Sequence, residues 1–282
     1  MKLSIWSSYY VDLSPEDAIL EIAKQGYKYT ELSDEHGEML LQRGDPKTVG
    51  AQFGAFARAH GVEIPQGHLY LKVRLCGDQE DSAAVLKNWL DLFAAIGIKN
   101  AVLHCDSIHP EGLMESEIRE RNKAVLAQLV DHLEGKDFTI CLENLTNGSG
   151  PLSDGNYKYS VHYRVEELLW YIEQLGDEHL GICLDTGHLN LTKACSQGAF
   201  IRKAGKHLKA LHIADNQGAT DQHLMPFGVG KVDFEDVFSA LKEIGYDGIY
   251  NLEIPGERHA PLEILGYKLQ YIKKCMDYLA NK

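Results

Sequence analysis

Long apolar runs are missing from this sequence of 282 residues. No stretch approaches the ~18 consecutive apolar residues that a membrane-spanning helix requires. The first residues, MKLSIWSSYYVDLSPEDA, carry one lysine and no apolar core of the length that a secretory signal needs. From these absences we expect a soluble, cytoplasmic protein without a membrane segment.

Paired cysteines and runs of basic residues are absent as well. The six cysteines occur singly, without the C-x-x-C spacing of a zinc knuckle or a redox pair. Cys141 and Cys183 lie within apolar runs, where a reduced cysteine acts as a small apolar side chain. The net charge of -13 argues against nucleic acid or an anionic membrane as a partner.

Short β-like runs alternate with longer segments whose apolar residues recur at intervals of three and four. Eight such runs lie near residues 2–8, 27–33, 62–70, 99–106, 138–145, 180–187, 208–215 and 248–255. Five helix candidates between them each end on a glycine, at residues 14–26, 81–97, 117–135, 164–176 and 233–245. The first has a complete start signal, with Ser14 as the N-cap and Pro15 at the first helical position.

This alternation predicts an α/β fold in which helices cover a parallel sheet. Eight repeats without an interrupting module favour a closed (β/α)8 TIM barrel, with residues 1–282 as a single domain. An open doubly wound sheet is the alternative, and the lack of a G-x-G-x-x-G turn after the first strand weakens it. Two longer loops, 147–163 and 216–232, are expected on the face where such barrels carry their active sites.

The segment CLDTGHLN leads from an apolar strand into Asp185, a tight Thr-Gly pair and then His188. Most of the other predicted strands also end in a carboxylate or an imidazole. The full set is Glu31, His68, His104, Glu143, Asp185 with His188, His212 with Asp215, and Glu253. In a barrel these side chains point to one mouth, and so dense a cluster of ionisable groups requires a cation. The pattern therefore predicts a divalent-metal site.

The order of Glu143 in CLENL, Asp185 in CLDTGHL, His212 in LHIADN and Glu253 in NLEIPGE resembles the xylose-isomerase-like barrel superfamily over nearly the whole chain. That superfamily includes sugar and sugar-phosphate isomerases and epimerases, and also the endonuclease IV group. The resemblance implies one cation held by these four residues. Such a mixed carboxylate and imidazole set suits manganese, magnesium, cobalt or zinc.

We expect a metal-dependent isomerase or epimerase that acts on a small sugar, sugar phosphate or polyol through an enediolate. Glu143 and Glu253 would exchange the proton, and His188 would hydrogen-bond a substrate oxygen. The remaining candidates for the substrate pocket are Glu31, His68, His104 and His223. Ketohexose 3-epimerases of the superfamily have an arginine shortly after the strand-seven histidine, and this sequence has none there. The sequence leaves the oligomeric state open.

A zinc-dependent abasic-site phosphodiesterase of the endonuclease IV type is the competing prediction. The ligands expected of its three zinc ions match, in type and order, His68, His104, Glu143, Asp185, His188, His212, Asp221, His223 and Glu253. The local sequences differ, because LHCDS lacks the Pro-Gly of that group and DTGHLN replaces its DTCH. A third possibility, a sugar-binding barrel without catalysis, is weakened by the presence of both Glu143 and Glu253.

Overall fold

A computed structural model describes residues 1–77, 79–106, 115–146, 162–176 and 178–282. Its eight strands are β1 (Lys2–Trp6), β2 (Tyr29–Leu32), β3 (Glu63–His68), β4 (Asn100–Leu103), β5 (Thr139–Glu143), β6 (Leu180–Asp185), β7 (Leu208–His212) and β8 (Ile249–Leu252). They form one parallel sheet in the order β7-β6-β5-β4-β3-β2-β1-β8. The prediction of a (β/α)8 barrel is confirmed.

The ring closes between β7 and β8 just beyond the carboxyl ends of these strands. The amide of Ile213 donates to the Asn251 carbonyl at 2.7 Å, and the amide of Glu253 donates to the Ile213 carbonyl at 3.2 Å. These two bonds lie directly beside His212 and Glu253. The closure therefore brings two of the predicted ligands together at the mouth.

Ten α-helices surround the sheet within the described ranges. They are α1 (Pro15–Lys24), α2 (Asp34–Leu41), α3 (Pro46–Ala59), α4 (Gln79–Ile96), α5 (Glu115–Leu133), α6 (Val165–Leu175), α7 (Thr186–Thr192), α8 (Gln197–Ala204), α9 (Phe234–Glu243) and α10 (Leu262–Ala280). All five predicted helices are present, and Ser14 accepts the Asp17 amide as the expected N-cap. Within the described residues, none of the helices has the length and apolar content that crossing a membrane requires.

Five helices, namely α2, α3, α7, α8 and α10, are absent from the sequence-based prediction. Helix α3 begins with a clear signal, since Asp45 caps it and Pro46 occupies its first turn. Gly50 and Gly54 allow α3 to approach the backbone of α4 closely, because a Cβ at Gly50 would lie 2.6 Å from the Leu92 carbonyl oxygen. Two helices therefore fill the connection between β2 and β3.

Small side chains form a layer inside the barrel below its carboxyl end. Val102, Cys141, Cys183 and Ala210 pack together there and are fully buried. Cys141 lies two residues before Glu143, Cys183 two before Asp185, and Ala210 two before His212, so each pair faces the same side of its strand. The prediction that both cysteines act as small apolar side chains is confirmed, and this layer supports the polar groups above it.

The two long loops differ in how far they can be described. Most of the predicted loop 147–163 lies outside the described residues. The loop 216–232 folds back on the end of β7, where Asp215 and Leu224 exchange two backbone hydrogen bonds of 2.8 Å. This second loop carries Asp221 and His223 to the mouth of the barrel.

Candidate metal centre

Four side chains from consecutive strands converge at the carboxyl end of the barrel. Glu143, Asp185 and His212 are the last residues of β5, β6 and β7, and Glu253 directly follows β8. The strand register places Asp185 beside His212. One polar atom from each of the four residues lies within 4.8 Å of those from the other three. The four are nearly or completely buried.

Each of these four residues has one buried polar atom without a hydrogen bond. The atoms are Glu143 Oε1, Asp185 Oδ2, His212 Nδ1 and Glu253 Oε2. His212 Nδ1 lies 3.2 Å from Glu143 Oε2 and 3.3 Å from Glu253 Oε2, although neither approach has hydrogen-bond geometry. An unsatisfied buried polar group costs about 1–3 kcal/mol, and more if it is charged. A divalent cation with oxygen and imidazole ligands would satisfy all four atoms, so the donor set fits such an ion.

Glu31 orients the His212 ring through a contact with its Nε2 atom. This Nε2 atom lies 3.0 and 3.1 Å from the two carboxylate oxygens of Glu31, and the Gln66 amide also donates to that carboxylate. Because a carboxylate only accepts, His212 Nε2 carries a proton that it donates to Glu31, and Nδ1 faces the other carboxylates. Glu31 is fully buried. The structure thus places Glu31 beneath His212 and away from the open wall of the mouth.

Asp185 both caps a helix and faces the centre. Its Oδ1 accepts the amide of His188 at 2.6 Å, which makes Asp185 the N-cap of α7. The Thr186-Gly187 pair, which the sequence suggests as a tight turn, is instead the first turn of this helix. The Asn144 side chain also exchanges hydrogen bonds of 2.8 and 3.0 Å with the Asp185 backbone. These contacts hold the carboxylate with Oδ2 free for a ligand.

His188, Asp221 and His223 form a second group at the mouth. His188 bonds the Asn144 carbonyl through Nδ1 at 2.9 Å, and His223 bonds the Glu253 carbonyl through Nδ1 at 2.8 Å. Both rings therefore direct Nε2 at the same oxygen, Asp221 Oδ2, at 3.1 and 3.2 Å. Hydrogen bonding to Asp221 raises the pKa of His223 to about 10, although burial opposes this shift.

His68 and His104 form a third group on the opposite side of Glu143. His68 donates through Nδ1 to the Leu69 carbonyl at 2.7 Å, and its Nε2 lies 3.3 Å from His104 Nε2. His104 Nε2 in turn lies 3.0 Å from Glu143 Oε2. The structure therefore brings His68, His104, His188 and His223 into one side-chain cluster with the four central residues.

The two glutamates of the centre are electrostatically different. Burial raises the pKa of Glu253 to about 8. Burial acts in the same direction on Glu143, but the neighbouring His212 and His104 outweigh it and hold the pKa of that carboxyl well below its usual range. In the metal-free protein Glu143 is therefore the stronger acid of the two, which suits Glu143 to accept a proton and Glu253 to donate one.

Asp215 lies outside the cluster, although it follows a strand end in sequence. It accepts the amides of Asn216 at 2.8 Å and Val232 at 2.9 Å, and it is buried. A Cβ at Gly230 would collide with its carboxylate. Asp215 therefore holds the two ends of the loop that carries Asp221 and His223.

A family model described as "Xylose isomerase-like TIM barrel" matches residues 19–275. The chain belongs to this family. The resemblance in the order of Glu143, Asp185, His212 and Glu253 is thereby confirmed at the level of the family. The roles of the individual residues stay predictions.

This xylose isomerase-like barrel is similar to several known proteins. An uncharacterized protein of Methanocaldococcus jannaschii is 33% identical over 162 residues, so the match covers 54% of this chain and about half, 51%, of that protein. L-ribulose-5-phosphate 3-epimerase of Salmonella heidelberg is 24% identical over 84% of this chain and 81% of its own length. The structure of D-psicose 3-epimerase with D-tagatose from Clostridium cellulolyticum H10 has a TM-score of 0.79 at 18% identity, over 99% of both chains. That likeness shows the shared fold.

Three further residues of the xylose isomerase-like barrel support the site but are missing from the sequence-based prediction. Gln66 and Asn144 hold Glu31 and the Asp185 backbone, as described above. Trp6 ends β1, its indole N–H donates to the Ile254 carbonyl at 3.0 Å, and its ring lies parallel to that of His223 with centroids 6.4 Å apart. The strand-end position of Trp6 was a usable signal.

Proposed function

We propose that this protein is a divalent-metal-dependent sugar isomerase or epimerase that transfers a proton at a carbon next to a carbonyl group. The observation that carries the proposal is the convergence of Glu143, Asp185, His212 and Glu253, each of which has one buried polar atom without a hydrogen bond. The similarity to L-ribulose-5-phosphate 3-epimerase and the fold shared with D-psicose 3-epimerase support a sugar as the substrate.

Glu143, Asp185, His212 and Glu253 would hold the ion. A divalent cation bound there would polarise a substrate carbonyl and its neighbouring hydroxyl, and would make the C–H bond between them more acidic. The ionised Glu143 carboxylate would accept the proton, and Glu253 would supply one from a different side of the centre.

The remaining polar side chains would orient the substrate. His188 uses Nδ1 for the Asn144 carbonyl, so Nε2 is the atom available to a substrate oxygen. His68, His104 and His223 would line the pocket, and the Trp6 ring, parallel to that of His223, offers an aromatic face for a sugar ring. Glu31 would act through His212, because it is buried beneath that ring.

The endonuclease-type phosphodiesterase stays the second candidate because of the geometry of Asp221. The Nε2 atoms of His188 and His223 both face one oxygen of this carboxylate, and three such atoms can also hold a cation. The Nδ1 atoms of His68, His188 and His223 nevertheless bond backbone carbonyls, whereas each central residue keeps an unbonded atom. This difference and the net charge of -13 favour a single ion and a sugar substrate.

Solvent exchange tests the proposed proton transfer. We expect the metal-loaded protein in deuterated water to introduce deuterium next to the carbonyl of at least one member of a panel of ketoses, inososes and keto-acids. Glu143→Gln and Glu253→Gln should each abolish the exchange, whereas Glu63→Gln, an exposed glutamate at the start of β3, should not. A lack of exchange with every member of the panel would count against the proposal.

Metal content separates the two candidates. The isomerase requires one tightly bound divalent ion per chain and should not incise an abasic duplex. The endonuclease-type phosphodiesterase requires further ligands for its additional zinc ions. These would be His68, His104, His188 and His223. About three zinc ions per chain, together with abasic-site cleavage that is lost in His68→Ala, would make the nuclease the better assignment.

A further inference from the structure

Cys183 reaches the metal centre from inside the barrel. It is fully buried and packs as a small apolar side chain in the layer below the mouth. Its Sγ atom also belongs to a second group of converging ligand atoms, together with one oxygen of Glu143 and one ring nitrogen of His212. These three atoms lie within 4.8 Å of one another. The thiol therefore borders two of the four proposed metal ligands.

The register of the strands explains why Cys183 lies closer to the mouth than Cys141. In the pairing of β5 with β6, Cys183 is the direct neighbour of Glu143, whereas Cys141 is the neighbour of Gly181. Neighbouring residues of two paired strands point to the same face of the sheet. The Cys183 side chain therefore lies beside that of Glu143. Cys141 Sγ instead donates to the Thr139 carbonyl at 4.0 Å, towards the other end of its strand.

Both ligands beside the thiol have a buried atom that needs a partner. Glu143 Oε1 and His212 Nδ1 are buried and make no hydrogen bond. Zinc binds carboxylate oxygen, imidazole nitrogen and thiolate sulfur, and a catalytic zinc ion commonly has three protein ligands and one open position. Magnesium and manganese prefer oxygen ligands, so a sulfur atom contributes little to their binding. A thiol in this place therefore favours zinc over the harder ions.

We propose that Cys183 Sγ binds the metal ion together with Glu143 and His212, and that this sulfur makes the centre selective for zinc. Binding replaces the S–H bond by a bond between sulfur and the metal, and the proton leaves to solvent without any transfer of electrons. Because Cys183 binds the same ion, the proposal rests on the metal-dependent function proposed above. It adds one ligand and a choice of metal to that function.

Cobalt substitution tests the sulfur ligand directly and requires no substrate. A thiolate bound to Co²⁺ produces an intense charge-transfer band in the near ultraviolet, whereas carboxylate and imidazole ligands do not. We expect the full chain loaded with Co²⁺ to show this band and Cys183→Ala to lose it. Cys141→Ala removes the other buried thiol of the same layer and should keep the band. Cys195→Ala removes an exposed thiol and should keep it as well.

The outcomes separate this proposal from the metal-dependent function. If equilibrium dialysis shows bound Co²⁺ but the band is absent, or if the band persists in Cys183→Ala, Cys183 is not a ligand and the metal-dependent function is unaffected. If the chain binds neither Co²⁺ nor zinc, both proposals fail.

Metal selectivity distinguishes a ligand from a residue that only packs beneath the centre. Groups behind a metal ligand contribute roughly 10–100-fold to affinity, and a direct ligand should reach the upper end, so Cys183→Ala should weaken zinc binding about 100-fold. Manganese binding should stay close to that of the parent. Cys183→Ser keeps the size of the side chain without the sulfur and should behave in the same way, and a thermal melt of each metal-free variant shows whether the fold is retained. An equal loss of zinc and manganese affinity in folded variants would overturn the proposal.

Discussion

Replacing Glu31 by glutamine tests whether this residue supports the metal centre through its contact with His212. Glu31 does not face the converging atoms, but its carboxylate holds His212 Nε2 at 3.0 and 3.1 Å. Glutamine keeps the shape and one acceptor oxygen and removes the negative charge. Groups that support a metal-ligating histidine in this way contribute 10–100-fold to metal affinity, or about 1.4–2.7 kcal/mol. We expect a loss of metal affinity in this range.

Metal-dependent thermal stabilisation measures that loss without any assay of activity. A ligand at about 1000 times its dissociation constant stabilises the folded state by about 4.1 kcal/mol. For a chain of 282 residues the entropy of unfolding is about 0.6 kcal/mol per degree, so the metal should raise Tm by about 7 °C. A 10-fold weaker affinity leaves about 2.7 kcal/mol at the same metal concentration and a 100-fold weaker affinity about 1.4 kcal/mol, so in Glu31→Gln the shift should fall to about 2–5 °C.

Two comparison variants serve as controls for the metal-induced Tm shift of Glu31→Gln. Glu63→Gln lies at the opposite end of the barrel and should retain the full metal-induced shift. Asp185→Asn removes a predicted ligand and should lose the shift. If Glu31→Gln keeps the full metal-induced shift and Asp185→Asn loses it, only the proposed role of Glu31 is refuted. A full shift in both variants would refute the assignment of the centre itself.

Three further outcomes are expected. Asp185→Asn keeps an oxygen for the N-cap of α7, so its metal-free Tm should remain within about 1 °C of the parent, whereas Asp185→Ala should lose about 1 kcal/mol, or about 2 °C, in thermal melts. Gly230→Ala drives a methyl group into the Asp215 carboxylate and should lower Tm by about 2–5 °C. Burial raises the pKa of Glu167 to about 7. The protonated carboxyl therefore contributes its full stability to the parent below pH 4.5, and this contribution is lost as the pH rises through 7. The carboxyl is partly exposed, so solvent reduces the roughly 2–3 kcal/mol that this shift implies between pH 5 and pH 8 to about 1 kcal/mol. Glu167→Gln should therefore gain about 1 kcal/mol over the parent across this range, measured as a relative rise in Tm of about 2 °C.

The positions of the strands and of the central residues could be predicted because one periodicity governs both. The strands β5, β6 and β7 are mostly apolar before the ionisable residue that ends each of them, and the carboxyl ends of the strands meet at the mouth of the barrel. Glu143, Asp185 and His212 occupy the last position of their strands, and Glu253 follows the next. The order of residue types along the chain therefore carried most of the information about the site.

Two of the missed helices combine helix signals with residues that oppose them. Helix α7 has only seven residues and starts directly on the strand-ending Asp185, so its Thr-Gly pair suggested a turn. Helix α3 contains two glycines, which lower its intrinsic propensity and are explained only by close packing on α4. Tertiary contacts stabilise both helices, and a reading of local sequence cannot include such contacts.

The role of Glu31 could not be predicted for a related reason. Its position at the end of β2 indicates only that it lies near the mouth. Its depth depends on the pairing with β3, where the register shifts between Tyr29 and Glu31 and sets Glu31 beside Gln66. Gln66 then bonds the Glu31 carboxylate and fixes it under His212 rather than at the open wall. A shift of one residue in a strand turns a side chain to the other face, so this assignment required the pairing of three strands, β2, β3 and β7.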